Sequence, residues 1–167
     1  TRISDRRIAA KAFVSINSHG LPLKPEEIVK GQLIDLSSTM PNADEAARTI
    51  LFAWNSMQEE LGKQRFDDFL RSVDFIERRM AQSTDYAIQL MEHIRRRYPG
   101  QQGYRWATET LIHYLAAFKW IYESVDQEWA VGVHASLRRL QLLKWDQWRA
   151  YAMLIWMKSR PADINKR

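Results

Sequence analysis

Apolar residues recur along this chain every three or four positions, and runs in which apolar and polar residues alternate are rare. The first spacing places apolar side chains on one face of a helix, whereas a half-buried strand needs alternation. The pattern predicts an all-α protein, a single helical domain of about eight helices with orthogonal, bundle-like packing. The clearest stretch ends at Gly62 and carries these apolar residues: Ala47, Ile50, Leu51, Trp54, Met57 and Leu61.

Turn-forming residues divide the first half of the chain into helices. Residues 5–16 form a predicted first helix, and His19 and Gly20 after it prevent the helix from continuing. Pro25 stands at the first position of a second helix that runs to Leu36, with acidic residues in its positively charged first turn. Residues 37–42 form a polar connector. A short turn at Gly62 between two apolar stripes predicts an antiparallel helical hairpin.

The second half of the chain is divided in the same way. Ser83 or Thr84 is the predicted N-cap of a helix that ends before Pro99, and a loop through Gly103 is expected next. Three further helices are indicated by apolar residues at helical spacing: Leu111, Tyr114, Leu115, Phe118 and Tyr122, then Val133, Leu137 and Leu140, then Trp148, Tyr151, Ala152 and Ile155.

Composition narrows the class of protein. The length of 167 residues suits one compact domain with a sizeable core. The chain has no cysteine, which excludes disulfides, thiolate zinc sites and cysteine nucleophiles and fits a reducing compartment. Its start does not resemble a signal peptide, and no apolar run is long enough to span a membrane. We therefore expect a soluble, cytoplasmic protein without membrane contact. The net charge of +5 weakly favours binding to polyanionic partners.

No motif for catalysis or metal binding stands out. The histidines His19, His93, His113 and His134 lack the spacing of metal ligands. A glycine-rich phosphate loop and a nucleophile elbow are both missing from the sequence. Adjacent acid pairs such as Asp67-Asp68 split across helix faces, which is typical of solvated surface. We expect no catalytic residue, metal site or cofactor in this chain alone.

Arginine clusters are the main candidates for binding. Six arginines could contact nucleic acid: Arg78, Arg95, Arg96, Arg97, Arg138 and Arg139. Three of them directly precede Tyr98-Pro99, at a predicted helix C-terminus, where the helix dipole stabilises cations without any ligand. A purely structural role for these arginines therefore stays open beside a phosphate-binding role.

Tryptophan is abundant, with seven residues, and core packing accounts for most of them. A platform for stacking nucleobases would need aromatic residues beside arginines on an exposed face. Only Arg105-Trp106 and Trp148-Arg149 suggest such a platform. Three tryptophans lie on or beside apolar stripes: Trp54, Trp120 and Trp148.

Residues 10–30 contain the motif Asn17-x-x-Gly20-Leu21-Pro22-Leu23, followed by Glu27-Ile28-x-Lys30. This segment resembles a recurring segment of the GmrSD-type restriction proteins. That segment has a helix, the motif Asn-x-Arg-Gly-Leu-Pro-Leu, and a short helix with an acidic residue and Ile-x-Lys. His19 stands where the family usually has arginine, which leaves a charge-dependent role of this position without support. The stretches 54–69 and 137–148 also resemble later helices of the family. The matching residues of the first segment are Asn17, Gly20, Leu21, Pro22, Leu23, Glu27, Ile28 and Lys30.

The resemblance implies a larger parent protein. Such proteins have a ParB-like domain that binds and hydrolyses nucleotide, a helical region, and often a C-terminal HNH-type nuclease domain that acts on DNA. The resemblance makes residues 1–36 the end of a ParB-like domain, 37–160 a helical bundle and 161–167 a polar tail. The loop Asn17, Ser18, His19 and Gly20 would border the nucleotide site. A nucleoside triphosphate and a divalent metal would be cofactors of the parent protein.

Two functions follow as hypotheses. In the first, the chain is a non-catalytic helical scaffold of a DNA-targeting defence nuclease, which couples a nucleotide site to a nuclease domain and contacts the DNA backbone. Both ends of the chain suggest a fragment of such a protein. In the second, it is a stand-alone helical module that binds DNA or another protein. A helix-turn-helix reader would need an exposed recognition helix, for which residues 126–141 are the only loose candidate.

Overall fold

The computed structural model of the chain describes residues 23–80, 83–123 and 147–159, together with 135, 136, 139, 140 and 142. Within these residues the secondary structure is helical and no strand forms, so the predicted all-α class is confirmed. The predicted first helix, the loop at residues 17–20 and the helix around Val133 and Leu137 lie outside the described residues. The total of about eight helices and the orthogonal packing therefore stay predictions.

The first described helix, α1, comprises Pro25–Leu36. Pro25 occupies its first turn, where the missing backbone N–H costs nothing, and the Glu27 carboxylate accepts the Lys24 backbone N–H at 3.0 Å. Its inward side chains are Val29 and Leu33. A short 3-10 turn, Ser37–Thr39, follows directly. The predicted start and end of this helix are confirmed.

The long element α2 comprises Ala43–Arg78 and is interrupted at Gly62, where φ is 71° and ψ is 162°. The rings of Trp54 and Phe66 lie on either side of this break, with their centroids 4.9 Å apart. Twelve residues of a straight helix would separate them by about 18 Å. The chain therefore folds back at Gly62, as the sequence predicts, and residues 63–78 pack against residues 43–61.

The third helix, α3, comprises Tyr86–Arg97. Its N-cap is Asp85, so the prediction of Ser83 or Thr84 as the cap is wrong. Ser83 acts just before the helix: its hydroxyl accepts the backbone N–H of Asp85 at 3.2 Å. The helix ends before Pro99-Gly100, as predicted, because proline restricts the residue before it to extended conformations.

The loop predicted through Gly103 is wrong, because this glycine lies inside a helix. Helix α4 comprises Gln101–Arg105, a π-helical turn comprises Trp106–Thr110, and α5 comprises Leu111–Glu123. A methyl group added at Gly103 would lie 2.8 Å from the Tyr98 carbonyl oxygen and 3.4 Å from the Leu36 side chain. This glycine is therefore explained by close packing of α4 against its neighbours, which sequence alone does not distinguish from a loop signal.

The last helix, α6, comprises Trp148–Ser159. Trp148 and Ala152 are buried as predicted, but Tyr151 and Ile155 are 50% and 68% exposed. Because almost every position of this helix is apolar, periodicity could not fix which side faces inward. The packing of α6 against α2 and α5 decides it.

One hydrophobic core joins all the described helices. Glu26 in the first turn of α1 acts electrostatically on Tyr86 in the first turn of α3, and Asp35 near the end of α1 pairs with Arg95 near the end of α3. These two helices therefore run in the same direction. Trp54 and Trp148 are in the core, as predicted, and Trp120 is partly buried against it. The largest fully buried side chains include Trp54, Trp106, Tyr86, Phe66, Phe69 and Phe118.

Candidate nucleic-acid interface

The arginine end of α3, defined as Arg95, Arg96 and Arg97, forms the last turn of this helix. The opposite face of α3 is buried and includes Leu90, Met91 and Ile94. Arg95 and Arg96 lie off this buried stripe, whereas Arg97 follows Ile94 by three positions and continues it. All three arginines are exposed in the last turn. The sequence motif thus becomes a compact, positively charged surface.

The three arginines differ in their partners. The Arg95 guanidinium lies 2.7 Å from the Asp35 carboxylate, which links α3 to α1. Within the described residues, neither Arg96 nor Arg97 forms a salt bridge. An exposed ion pair contributes only about 0 to 1 kcal/mol, so Arg95 is weakly held. Arg96 and Arg97 are the residues best placed to meet an external anion.

A buried carboxylate lies beneath this surface. The Glu77 Oε1 atom accepts the Trp106 indole N–H at 2.7 Å and the Tyr114 hydroxyl at 2.9 Å, and Oε2 accepts the Tyr98 hydroxyl at 3.3 Å. We call Glu77, Tyr98, Trp106 and Tyr114 the Glu77 cluster. Its three donors are neutral, and they offset the cost of removing the carboxylate from water.

The Glu77 cluster connects α5, which carries Tyr114, with three other parts of the chain. Glu77 lies in the last turn of α2, Tyr98 follows α3, and Trp106 opens the π-helical turn. Burial and the nearby Glu77 charge both raise the pKa of Tyr114, so its hydroxyl stays protonated and donates. The cluster therefore fixes the end of α3 relative to the rest of the protein.

His93 lies between the cluster and the arginines. Its Nε2 atom is buried without a hydrogen-bond partner and is 4.0 Å from the Glu77 Oε2 atom. Burial lowers the pKa of His93, and the positive charges of Arg97, Arg96 and Arg78 lower it further against the opposing effect of Glu77. His93 is therefore neutral at pH 7. Part of the lowering of its pKa comes from the positive charge of the arginines at this end of α3.

Arg78 is held inside the protein. Its guanidinium donates to the Asp74 carboxylate at 2.8 Å and to the Gln89 side-chain oxygen at 2.6 Å, and the side chain is only 8% exposed. Asp74 is completely buried. The structure thus places Arg78 in a buried ion pair within α2, and its hydrogen bond to Gln89 links α2 to α3. The surface of exposed arginines lies on α3 without Arg78.

Of the other predicted contact and loop residues, the structure describes only Arg139. Arg139 is exposed, and Arg138 lies outside the described residues. The loop residues Asn17, Ser18, His19 and Gly20 also lie outside them. The tryptophans beside arginines do not form a stacking platform, because Trp106 and Trp148 are both buried.

Acidic residues predicted as solvated surface have specific partners. Asp67 is partly buried. Its carboxylate accepts a hydrogen bond from the Arg71 guanidinium at 2.8 Å and another from the Tyr86 hydroxyl at 2.7 Å. Asp68 lies 3.4 Å from Arg149, which links α2 to α6. The two adjacent acids do point to different sides of α2, but Asp67 contacts α3 and Asp68 contacts α6.

Glu77 is the central residue that sequence reasoning missed. It follows Leu70 by seven positions and Val73 by four, and both of these residues are buried. That spacing places it on the inward stripe of α2. An acidic residue at an inward position was the available signal, and it indicates a buried hydrogen-bonded carboxylate.

Comparison of the chain with models of protein families, with curated proteins and with solved structures gave no match. Among the described residues, no three histidine, aspartate or glutamate side chains cluster in a way that could hold a metal ion. In the same part of the chain, no helix combines the length and the apolar character needed to cross a membrane.

Proposed function

We propose that this chain is a helical scaffold domain that contacts the phosphate backbone of nucleic acid through the arginine end of α3. The observation that carries the proposal is the pair Arg96 and Arg97, adjacent, exposed and without a salt bridge among the described residues. Guanidinium groups suit phosphate because their planar N–H donors match its oxygens.

The geometry favours weak binding without sequence preference. The C-terminal end of a helix carries a partial negative charge, which stabilises the arginines but opposes a bound anion. Phosphate contacts position a protein on nucleic acid and carry no sequence information directly. A surface of two arginines therefore suits an auxiliary contact within a larger assembly better than independent recognition.

The resemblance to GmrSD-type restriction proteins gives this contact its context. In that proposal the parent protein is a nucleotide-dependent DNA endonuclease, and this chain couples its nucleotide site to its nuclease domain. The partners would be the adjoining domains and DNA. The alternative is a stand-alone module that binds DNA or protein, for which residues 126–141 would supply the recognition helix and lie largely outside the described residues.

The test is duplex DNA binding as a function of salt concentration. With about two phosphates contacted, the affinity should fall roughly twelvefold between about 50 and 200 mM salt, because each contact contributes a slope of about 0.9. Replacing Arg96 and Arg97 together by alanine should abolish this salt-dependent binding. Melting temperature should change little, because both residues are exposed.

A matched control separates this surface from total charge. Arg48 and Lys63 are exposed on α2, and replacing both by alanine removes the same charge elsewhere. We expect the control variant to retain most of the binding. Equal losses in the two double variants would contradict a specific interface, and salt-independent binding would contradict contact with phosphates.

A further inference from the structure

We propose that Tyr98 is a positioning residue for Arg97, and that Glu77 anchors Tyr98 for this purpose. The proposal rests on the function proposed above, since it assigns to Arg97 a phosphate contact. It adds a difference between the two arginines: Arg96 is exposed at the helix end, whereas Arg97 is held in place through Tyr98 by a buried network.

The inner part of the arrangement is rigid. The Tyr98 hydroxyl donates to the Glu77 carboxylate at 3.3 Å, and the same carboxylate is fixed from the other side by Trp106 and Tyr114. Trp106 and Tyr114 are buried and Glu77 is 6% exposed, so the carboxylate has little freedom to move. Tyr98 is therefore attached at its hydroxyl to the core.

The outer part of the arrangement is the contact between Tyr98 and Arg97. Tyr98 leaves the helix with φ of −126° and ψ of 71°, while its backbone N–H still donates to the Ile94 carbonyl at 2.8 Å. This conformation brings the tyrosine ring beside the preceding residue, and the Arg97 guanidinium lies 5.5 Å from the ring centroid. That distance is within the range of a cation–π interaction.

The positioning lowers the entropic cost of binding. A long exposed arginine side chain samples many rotamers, and binding an anion restricts it. A side chain that is already restricted loses less on binding, so the same contact gives a higher affinity. Burial and the Glu77 charge raise the pKa of Tyr98, so its hydroxyl remains a donor at neutral pH.

The test is a double-mutant cycle that combines Tyr98→Phe with Arg97→Ala, read out as affinity for duplex DNA. Phenylalanine keeps the ring but removes the hydroxyl, and with it the bond to Glu77 and the hydroxyl's own interaction with Arg97. In the otherwise unchanged chain, Tyr98→Phe should weaken binding by at most about two- to fivefold, because the ring remains and the value of a whole exposed cation–π contact is the upper limit. In the Arg97→Ala background it should have no effect, because its action passes through Arg97.

Tyr114→Phe is the matched control. It removes a hydroxyl from the same carboxylate, at 2.9 Å, but no cation–π contact joins Tyr114 to Arg97. We expect it to lower the melting temperature at least as much as Tyr98→Phe but to weaken binding less, because Trp106 still holds the Glu77 carboxylate at 2.7 Å. Equal weakening of binding by both variants, or an equal effect of Tyr98→Phe with and without Arg97, would overturn the positioning role.

Failure of the proposed function gives a different result. In that case the Arg96 and Arg97 double variant binds DNA like the unchanged chain, and no phosphate contact exists for Tyr98 to organise. If instead Arg97→Ala lowers the salt dependence from about twelvefold to about three- to fourfold, phosphate contact is established. The double-mutant cycle then tests only whether Tyr98 positions Arg97.

Discussion

At the scale of single residues, the described structure shows how burial and neighbouring charges set the state of one side chain. His93 lies beside one carboxylate, that of Glu77 on α2, and three guanidinium groups, those of Arg78, Arg96 and Arg97. Burial and these cations outweigh the carboxylate, so the folded protein lowers the pKa of His93 below its usual value. Folding therefore favours the neutral imidazole.

This residue makes stability depend on pH. Since the pKa of His93 is lower in the folded protein than in the unfolded chain, its contribution is fully present above the unfolded value of about 6.5 and is lost as the pH falls through the folded value. The free energy of unfolding should fall more steeply below pH 7 in the unchanged chain than in His93→Gln, measured by urea denaturation. Parallel pH profiles of the two proteins would contradict this.

At the scale of elements, the hairpin of α2 depends on one glycine. The backbone of Gly62, with φ of 71° and ψ of 162°, lies in a region that only glycine occupies readily. A methyl group there would meet no neighbouring atom within 4 Å, so the obstacle to another residue is the backbone conformation itself. This turn brings the ring of Trp54 into contact with the ring of Phe66.

Gly62→Ala should lower the free energy of unfolding by about 1 to 3 kcal/mol, the cost of holding a non-glycine residue in this conformation. Gln64→Ala is the control, since Gln64 is exposed in the helix two residues later and should change stability by less than about 0.5 kcal/mol. Chemical denaturation of both variants gives the comparison. A neutral effect of Gly62→Ala would mean that the turn relaxes into another conformation.

At the scale of the whole molecule, the described helices share one core. Side chains from α1, α2, α3, α5 and α6 belong to a single hydrophobic cluster, and the buried tryptophans Trp54, Trp106 and Trp148 lie in three different parts of it. Helices that share a core in this way unfold together, because none of them can keep its apolar face buried alone.

Leu33→Ala tests this cooperativity. Leu33 on α1 is completely buried, so truncation should cost about 2 to 5 kcal/mol through lost burial and the cavity left behind. Far-ultraviolet circular dichroism and tryptophan fluorescence should report the same shifted transition. Phe52→Ala, at a position 76% exposed, should leave the transition almost unchanged. Separate transitions by the two probes would show that α1 unfolds independently.

The sequence by itself determined the class of the described part and several boundaries within it. Apolar periodicity, Pro25 at a helix start, Gly62 at a turn and Pro99 after a helix end are local signals, and each depends only on backbone chemistry.

Only the tertiary structure decided the surroundings and partners of residues whose local sequence allows more than one role. Gly103 is in a helix because α4 packs closely on Tyr98 and Leu36, a contact across 67 positions from Leu36 that no local rule contains. Arg78 and Arg97 each lie in the last turn of a helix. Arg78 nevertheless pairs with the buried Asp74, whereas Arg97 is exposed to solvent. The Glu77 cluster joins residues up to 37 positions apart. Such pairings depend on which helix faces meet, and local periodicity specifies only that each helix has a face to bury.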